Sequence, residues 1–170
     1  MALKSLFLFG TPPIAAAWRA IDDRVMGGIS RSRLRHDAGG HAVFEGELSL
    51  AQGGGFASVR APVAAPLSAP DVAAAQAVVI EALGDGRTYK LSLFMDETFD
   101  APAYQATFTP PAGRWQVVVL PLAGFVPRFR GRAVTGAPTL DLARLRQVGL
   151  MIAEQQAGPF ALQLRSIGLR

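Results

Sequence analysis

Residues 43–50 read Val-Phe-Glu-Gly-Glu-Leu-Ser-Leu, and this stretch decides the fold class. Phe44, Leu48 and Leu50 fall on one side of an extended chain, and Glu45 and Glu47 fall on the other. Successive side chains of a β-strand point to opposite faces, so this period of two predicts a strand with one buried face. Such a strand must pack its apolar face against a second layer.

The same alternation recurs in both directions from this stretch. It covers residues 56–59, 77–83, 89–95, 104–108, 115–120, 146–153 and 160–167. About eight short strands separated by turn residues predict an all-β sandwich or barrel. The predicted strands at either end of this series favour a two-sheet sandwich.

The turns and the few helices follow from local chemistry. Residues 84–86 (Gly-Asp-Gly) predict a tight link between two strands. One or two helical turns fit within residues 12–21, and Thr139 is predicted to cap a short helix over residues 140–146. We expect a single domain over residues 1–170, with residues 1–17 as an N-terminal lead-in.

Composition bounds the class of protein. The chain has 170 residues, of which 50% are hydrophobic and 18% charged, so it can form a core and is not disordered. It has no cysteine, which excludes disulfides, thiolate zinc sites, iron–sulfur clusters and a cysteine nucleophile. No apolar run is long enough for a transmembrane segment, and no signal or transit peptide is recognised, so a cytoplasmic location is expected.

The basic residues allow two interpretations. The net charge is +4, and all but two of the 17 basic residues are arginine. Arginine pairs bidentately with carboxylate and phosphate, which favours recognition of anions. A GC-rich genome would also enrich arginine together with Ala, Gly and Pro, all abundant here. The charge is too small and too dispersed to indicate a nucleic-acid partner.

Residues 18–32 contain the first candidate site. Asp22 and Asp23 stand beside Arg24, and Gly27 and Gly28 let the backbone turn sharply. One interpretation is a loop that binds a cation or polar ligand, with the two aspartates as weak candidate metal ligands. The other is an internal ion pair that locks the N-terminal strand onto the sandwich. A structural calcium ion is a further alternative, and no other cofactor is expected.

No catalytic set is recognised. The Gly-rich residues 53–56 lack the helix, Lys and Ser/Thr that a phosphate loop needs. His36 and His41 flank a polar loop and lie on no predicted strand. Ser30 lacks the glycine two residues later that a nucleophile elbow requires. We therefore expect no enzyme activity.

Residues 127–132 alternate three arginines with an aromatic and a glycine. Arg128, Arg130 and Arg132 suit contacts to anions or to a carboxylate-rich protein. The same composition suits a surface crossover whose arginines pair with Asp22, Asp23, Asp85 or Glu154.

Together these segments resemble the complex I intermediate-associated protein 30 family. The resemblance runs from Trp18 to the C-terminus through residues 22–30, 44–46, 54–60, 84–87, Tyr89, 104–105, Phe108, Trp115, Pro121, Phe125, Pro127, 129–131, 149–152 and 158–160. It implies a galactose-binding-domain-like jelly roll. It further implies a protein partner, since eukaryotic members are mitochondrial chaperones that bind assembly intermediates of NADH:ubiquinone oxidoreductase.

These observations lead to ordered functional hypotheses. The first is a non-catalytic protein-binding module, chaperone-like, that acts in assembly of respiratory complex I or another complex. The second is a carbohydrate-binding module that uses the concave face, with Trp115, Tyr89, Tyr104, Arg87 and Arg130 as candidate contacts. The third is an enzyme with two facing carboxylates, for which Asp22, Asp23, Asp85 and Glu154 are the candidates. The candidate binding surface comprises Asp22, Asp23, Arg24, Arg60, Arg87, Tyr89, Trp115, Arg128, Arg130 and Arg132.

Overall fold

The computed structural model describes residues 4–98 and 101–170, and about half of these lie in strands. In chain order the strands are β1 (Lys4–Leu8), β2 (Arg19–Ala20), β3 (Arg31–Asp37), β4 (His41–Leu48), β5 (Ala57–Pro62), β6 (Ala77–Leu83), β7 (Tyr89–Phe94), β8 (Ala103–Phe108), β9 (Trp115–Pro121), β10 (Val126–Phe129), β11 (Arg132–Ala133), β12 (Gln147–Ile152) and β13 (Gly158–Leu169). The predicted all-β class is confirmed.

Two sheets form the sandwich. The six-stranded sheet has the order β3-β4-β13-β6-β9, with β1 also paired to β13. The seven-stranded sheet has the order β11-β10-β8-β7-β12-β5-β2. The pairs between these strands are antiparallel. The twelve-residue β13 pairs with β4, β6 and β1, and so sets the register of its sheet.

The core lies between the sheets and follows the period of two. Phe44 and Leu48 of β4 are 0% and 1% exposed, and they belong to the same buried cluster as Leu91 and Leu150 of the opposite sheet. Gly46 shares the Phe44 face, where a Cβ would lie 1.9 Å from the Arg31 carbonyl oxygen. Glycine is therefore required at this point for β3 to pair closely with β4.

The N-terminal residues are part of the fold. Of the predicted lead-in, residues 4–8 form β1, and Phe7 and Phe9 are buried beside Trp18. Packing against this ring cluster stabilises a strand whose short sequence carries little alternation. The prediction that no histidine lies on a strand is wrong, because His36 lies in β3 and His41 begins β4.

Helix is scarce, as predicted. The α-helices are α1 (Pro12–Ala16) and α2 (Ala69–Ala74), with 3-10 turns at Asp23–Met26, Ala51–Gly53, Leu122–Gly124 and Leu142–Arg144. Thr139 does not cap the last of these turns. Its cap is Asp141, whose carboxylate accepts a hydrogen bond from the Ala143 amide at 3.0 Å. The first backbone N–H groups of the turn have no partner within it, and a carboxylate one residue before the turn can accept from one of them. Thr139 lies three residues before the turn and is too far away to do so.

Residues 84–86 do not join a hairpin. They carry the chain from β6 in the six-stranded sheet to β7 in the seven-stranded sheet. The link is tight because Gly86 has a φ of 85°. A Cβ on Gly84 would lie 2.3 Å from the Pro110 carbonyl oxygen, so glycine is needed there too.

Candidate functional site

Residues 22–32 form an internal hydrogen-bond network around Asp23. This aspartate is completely buried, and its carboxylate accepts from the Ser30 amide at 2.9 Å and the Ser30 hydroxyl at 2.6 Å. It also accepts from the amides of Gly55 at 2.7 Å and Phe56 at 3.3 Å. Burial raises the pKa of Asp23, but the hydrogen bonds outweigh burial and hold the pKa below its ordinary value.

Two glycines make room for this carboxylate. A Cβ on Gly28 would lie 2.5 Å from the Asp23 Cγ, and a Cβ on Gly54 would lie 2.6 Å from its Oδ2. The two Gly-rich segments of the sequence therefore meet at one aspartate. Neither segment cradles a ligand here, because the aspartate fills the space between them.

Asp22 ties a second pair of segments. Its carboxylate accepts from the Ser32 amide at 3.0 Å, from the Ser32 hydroxyl at 2.5 Å and from the Ser58 amide at 3.0 Å. Within the described residues neither aspartate has a guanidinium partner, and Arg24 is exposed. The predicted internal ion pair is therefore wrong. Hydrogen bonds from backbone amides and serine hydroxyls, and not an arginine, hold these segments together.

Arg87 and Tyr89 belong to another internal tie. Tyr89 is buried in the core and donates through its hydroxyl to Asp85 at 3.0 Å, and that carboxylate also accepts from the Ala161 amide at 2.9 Å. Burial and the negative charge of Asp85 raise the pKa of Tyr89. The Arg87 guanidinium donates to the carbonyls of Gln156 at 2.6 Å and Ala157 at 3.1 Å. These residues join the β6–β7 and β12–β13 connections.

The remaining aromatic candidates do not form one surface. Trp115 lies at the start of β9 in the six-stranded sheet, with the Arg165 guanidinium 4.0 Å from its ring centroid. Tyr104 is buried, and its hydroxyl donates to the Pro138 carbonyl. The predicted set of sugar contacts is therefore divided between the core, a loop and the opposite sheet.

The arginine-rich residues 127–132 form a hairpin. Phe129 pairs with Arg132 across a two-residue turn in which Arg130 has a φ of 52° and Gly131 a φ of 78°. Two positive φ values in succession match the twist of a tight hairpin. Arg132 is exposed beside this turn, while Arg128 lies within β10.

Away from the core, the seven-stranded sheet presents what we call the outer face. Residues directly opposite on paired strands share a face, so the register identifies its members. One row across the sheet comprises Arg19, Arg60, Gly149, Ser92, Gln105 and Val126. The next row comprises Ser58, Met151, Lys90 and Thr107.

Arg60 and Phe94 stack on this face. The Arg60 guanidinium carbon lies 3.8 Å from the Phe94 ring centroid, and Phe94 is only 4% exposed. Gly149 lies between their strands, and a Cβ there would stand 3.2 Å from the Phe94 ring. Burial lowers the pKa of Arg60, which remains far above neutrality because a guanidinium does not deprotonate in proteins. The stack fills the centre of the outer face with a planar cation.

Beside the stack is a depression of about 290 Å³, which we call the polar depression. It is lined by Lys90, Gln105, Ala106, Thr107, Gly124, Val126, Arg128 and Glu154. The Lys90 ammonium donates to Glu154 at 2.6 Å, and Gln105 donates to the Ser92 hydroxyl at 3.0 Å. The hydrogen bond and charge of Lys90, with the more distant charge of Arg128, lower the pKa of Glu154.

Glu154 is held in a strained backbone conformation. Glu154 and Gln155 both have a φ of 60°, which non-glycine residues adopt at a cost. The Gln156 side chain secures the loop, donating to the carbonyls of Thr88 and Ala153 at 2.8 Å each. The loop therefore presents Glu154 at the rim of the polar depression, where it pairs with Lys90.

The outer face thus collects only part of the predicted surface. Arg60 and Arg128 lie on it, and Arg130 and Arg132 border it on the hairpin. The other candidates lie elsewhere: Asp22, Asp23, Arg24, Arg87, Tyr89 and Trp115. Sequence reasoning missed Lys90 and Gln105 as members of this surface, although both are outward members of predicted strands and could have been found from the alternation. It considered Glu154 only as a candidate catalytic carboxylate or as a partner of the arginine-rich stretch, and its pairing with Lys90 was not predicted.

Comparison with known families settles the relationship. A sequence model described as Complex I intermediate-associated protein 30 matches residues 7–164.

The chain belongs to the complex I intermediate-associated protein 30 family. An uncharacterized protein of Schizosaccharomyces pombe is 31% identical over 95% of this chain and 82% of its own length. The mitochondrial complex I intermediate-associated protein 30 of Drosophila melanogaster is 24% identical over 96% of this chain. The chain spans 62% of that fly protein.

The fold of this family member is shared with sugar-binding proteins. A family 11 carbohydrate-binding module from Clostridium thermocellum, in complex with a β-1,3-1,4-mixed-linked tetrasaccharide, superposes with a TM-score of 0.68. The match covers 98% of this chain and 94% of that module at 14% identity. At this identity the likeness shows the fold alone, and it confirms the predicted jelly-roll sandwich.

Two further features concern metals and membranes. Within residues 4–98 and 101–170, no three acidic or histidine side chains are grouped so that they could hold a metal ion. In the same residues, no helix of this family member has the length and apolar content to cross a membrane.

Proposed function

We propose that this chain is a non-catalytic protein-binding module that assists the assembly of a protein complex, with respiratory complex I as the first candidate. Membership of a family named for complex I intermediates supports the proposal, as does the relationship to the fly protein. The role would be chaperone-like, through binding of an assembly intermediate.

The observation that carries the proposal is the set of accessible side chains on the outer face of the seven-stranded sheet. Lys90, Gln105 and Met151 are half-buried there, and Arg19 and Thr107 are exposed. Arginine, methionine and hydrogen-bonding side chains on a continuous surface are typical of protein interfaces. The carboxylates of Asp22 and Asp23, by contrast, accept hydrogen bonds from serines and backbone amides of this chain.

The candidate carboxylates favour a role without catalysis. Asp22 and Asp23 accept hydrogen bonds from serines and backbone amides, and Asp85 accepts from Tyr89 and a backbone amide. Glu154 is paired with Lys90. A hydrolytic pair needs two carboxyl groups that face a common substrate, and these four face different partners.

A capture experiment tests the proposal. The tagged chain is expressed in its native host, cross-linked, purified and analysed by mass spectrometry. Thr107→Arg places a long cation on the outer face, and Val117→Arg is its matched control, because Val117 is 51% exposed on the other sheet. We expect complex I subunits or another defined complex with the wild type and the control, and their loss with Thr107→Arg.

A deletion strain provides the second measurement. We expect the level of the captured complex to fall and its partly assembled forms to accumulate when the gene is removed. Recovery of no defined complex, together with normal complex levels in the deletion strain, would contradict the proposal.

Carbohydrate binding is the second candidate, favoured by the mixed donors and acceptors of the polar depression and by the shared fold. It has a weaker basis because sugars usually stack on an open aromatic ring, and Arg60 covers Phe94. Affinity electrophoresis in gels that contain mixed-linkage β-glucan tests it. Retardation of the wild type but not of Thr107→Arg would favour this candidate over protein binding.

A cytoplasmic location stays a prediction, since the fly relative is named mitochondrial. Fractionation of the native host with an antibody to the untagged chain measures it directly.

A further inference from the structure

Residues 122–128 form a ridge at one border of the seven-stranded sheet, with a depression on each side. Gly124, Val126 and Arg128 line the polar depression. Leu122, Ala123, Phe125 and Pro127 line a second depression, which we call the apolar cavity. For Val126, Pro127 and Arg128 the division follows from the extended backbone of β10, in which successive side chains point to opposite sides. Leu122, Ala123 and Gly124 belong to the 3-10 turn that precedes it.

The apolar cavity has a volume of about 400 Å³, within the range of ligand pockets. Its other walls are Tyr104, Ala137, Pro138, Thr139 and Leu140. Phe125 and Tyr104 are buried, and the Tyr104 hydroxyl is used in a hydrogen bond to the Pro138 carbonyl. The cavity therefore has fixed walls and suits an apolar side chain.

Arg128 supplies the charge on the other side of the ridge. It is half-buried, and no carboxylate of the described residues forms an ion pair with it. Glu154, the acidic residue of the polar depression, is bonded to Lys90. The depression therefore holds two cations and one carboxylate. An arginine fork in a half-enclosed site binds a carboxylate more strongly than one on open surface.

We infer that the ridge at residues 122–128 binds an extended segment of the partner protein, with an acidic residue on Arg128 and an apolar residue in the apolar cavity. The inference rests on the proposed protein-binding function and names the chemistry of its partner. An extended segment is the matching shape, because its side chains also alternate between two sides. Charge complementarity at Arg128 favours a protein segment over a neutral apolar ligand.

A displayed library of random peptides tests the inference. Peptides are selected on the wild-type chain alone and are then measured on the wild type and on Arg128→Glu. We expect enriched peptides to pair Asp or Glu with Leu, Ile, Phe or Met. Their affinity, measured by fluorescence anisotropy, should fall about tenfold or more in Arg128→Glu. It should recover in part in Arg128→Lys, which restores the charge without the bidentate geometry.

Filling the cavity is the second arm. Ala123 is exposed at the rim, so Ala123→Trp is expected to fold and to occlude the cavity, and Ala137→Leu is the smaller plug. Both substitutions should lower the affinity of the chain for the selected peptides. Arg114→Glu is the control, since Arg114 is exposed before β9 in the other sheet and should leave binding unchanged.

Three outcomes would overturn the inference. These are enriched peptides without acidic residues, equal affinity for Arg128→Glu, and amide chemical-shift changes that lie away from residues 122–128. If the capture experiment still recovers a defined complex with Arg128→Glu and Ala123→Trp, the protein-binding function stands and only this site is wrong.

Discussion

Asp23 and Ser30 are both completely buried, and the serine hydroxyl donates to the aspartate carboxylate over 2.6 Å. The same hydroxyl accepts from the Ser49 amide at 2.8 Å. Since Asp23 also accepts from Gly55, one carboxylate holds together the segments that precede β3 and β5 and, through Ser30, the segment that follows β4. This arrangement brings together residues 22–30 and 54–56, which are far apart in the sequence.

Replacing this carboxylate should weaken the fold. Asp23→Asn exchanges an acceptor oxygen for an NH₂ group that faces backbone N–H donors, so at least one buried donor loses its partner. We expect a loss of about 2 kcal/mol in the free energy of unfolding, measured by urea denaturation. Glu97→Gln makes the same exchange at an exposed position and should change stability little. Equal losses in both variants would contradict this account.

The same group should make stability depend on acid pH. Its pKa is lower in the folded chain than the ordinary 3.8, so its ionised form stabilises the fold above pH 3.8. This stabilisation is lost as the pH falls through the folded pKa. We expect the stability difference between the wild type and Asp23→Asn to be constant near neutrality and to shrink below about pH 4. A constant difference down to pH 2 would be inconsistent with a lowered pKa.

The glycines around Asp23 should differ sharply in their tolerance of a side chain. Gly28→Ala would place a Cβ 2.5 Å from the carboxylate, whereas Gly55, in the same network, has nothing within 4 Å of a Cβ. We expect a loss of about 2–3 kcal/mol for Gly28→Ala, typical of overpacking, and a small change for Gly55→Ala. Thermal and urea unfolding measure both.

The sequence predicted the fold well because its central strands alternate. The strand predicted at residues 77–83 has the same ends as β6. The strand predicted at residues 43–50 begins and ends two residues later than β4. The strands that were missed, such as β3 and β10, lie at or next to the edge of a sheet. One neighbouring strand is absent or short there, so packing requires less strict alternation of apolar and polar residues. The hairpin at Arg130 and Gly131 was not predicted, because it needs a positive φ at Arg130, a residue type that gives no such signal.

The site was harder to predict for a physical reason. The motif at residues 22–28 is the easiest to recognise in the sequence, because few residue types fit around a buried carboxylate. The outer face imposes no such restriction, so Lys90 and Gln105 look ordinary in the sequence. Arg128 stood out only because its segment is rich in arginine. It lies beside Lys90 and Glu154 because β7, β8, β10 and the loop after β12 come together in the fold.

Removal of calcium should leave the fold unchanged. The carboxylate oxygens of Asp22 and Asp23 already accept hydrogen bonds from serines and backbone amides. A cation would have to displace these donors. We therefore expect the same melting temperature with excess EDTA and with added calcium, measured by scanning calorimetry. A rise in melting temperature with calcium that Asp22→Asn abolishes would restore the metal interpretation.

The stack of Arg60 on Phe94 should couple the two residues energetically. Arg60→Lys keeps the charge but loses the planar contact, and Phe94→Leu keeps an apolar side chain but loses the ring. A double-mutant cycle should give a coupling of about 1 kcal/mol, since the stack is largely shielded from water. The same cycle between Arg60 and Phe108, a core ring of the neighbouring strand β8, is the control and should give none. A coupling near zero in both cycles would mean that Arg60 covers the ring without stabilising it. Arg60→Ala should then expose the Phe94 ring and increase binding of an apolar dye.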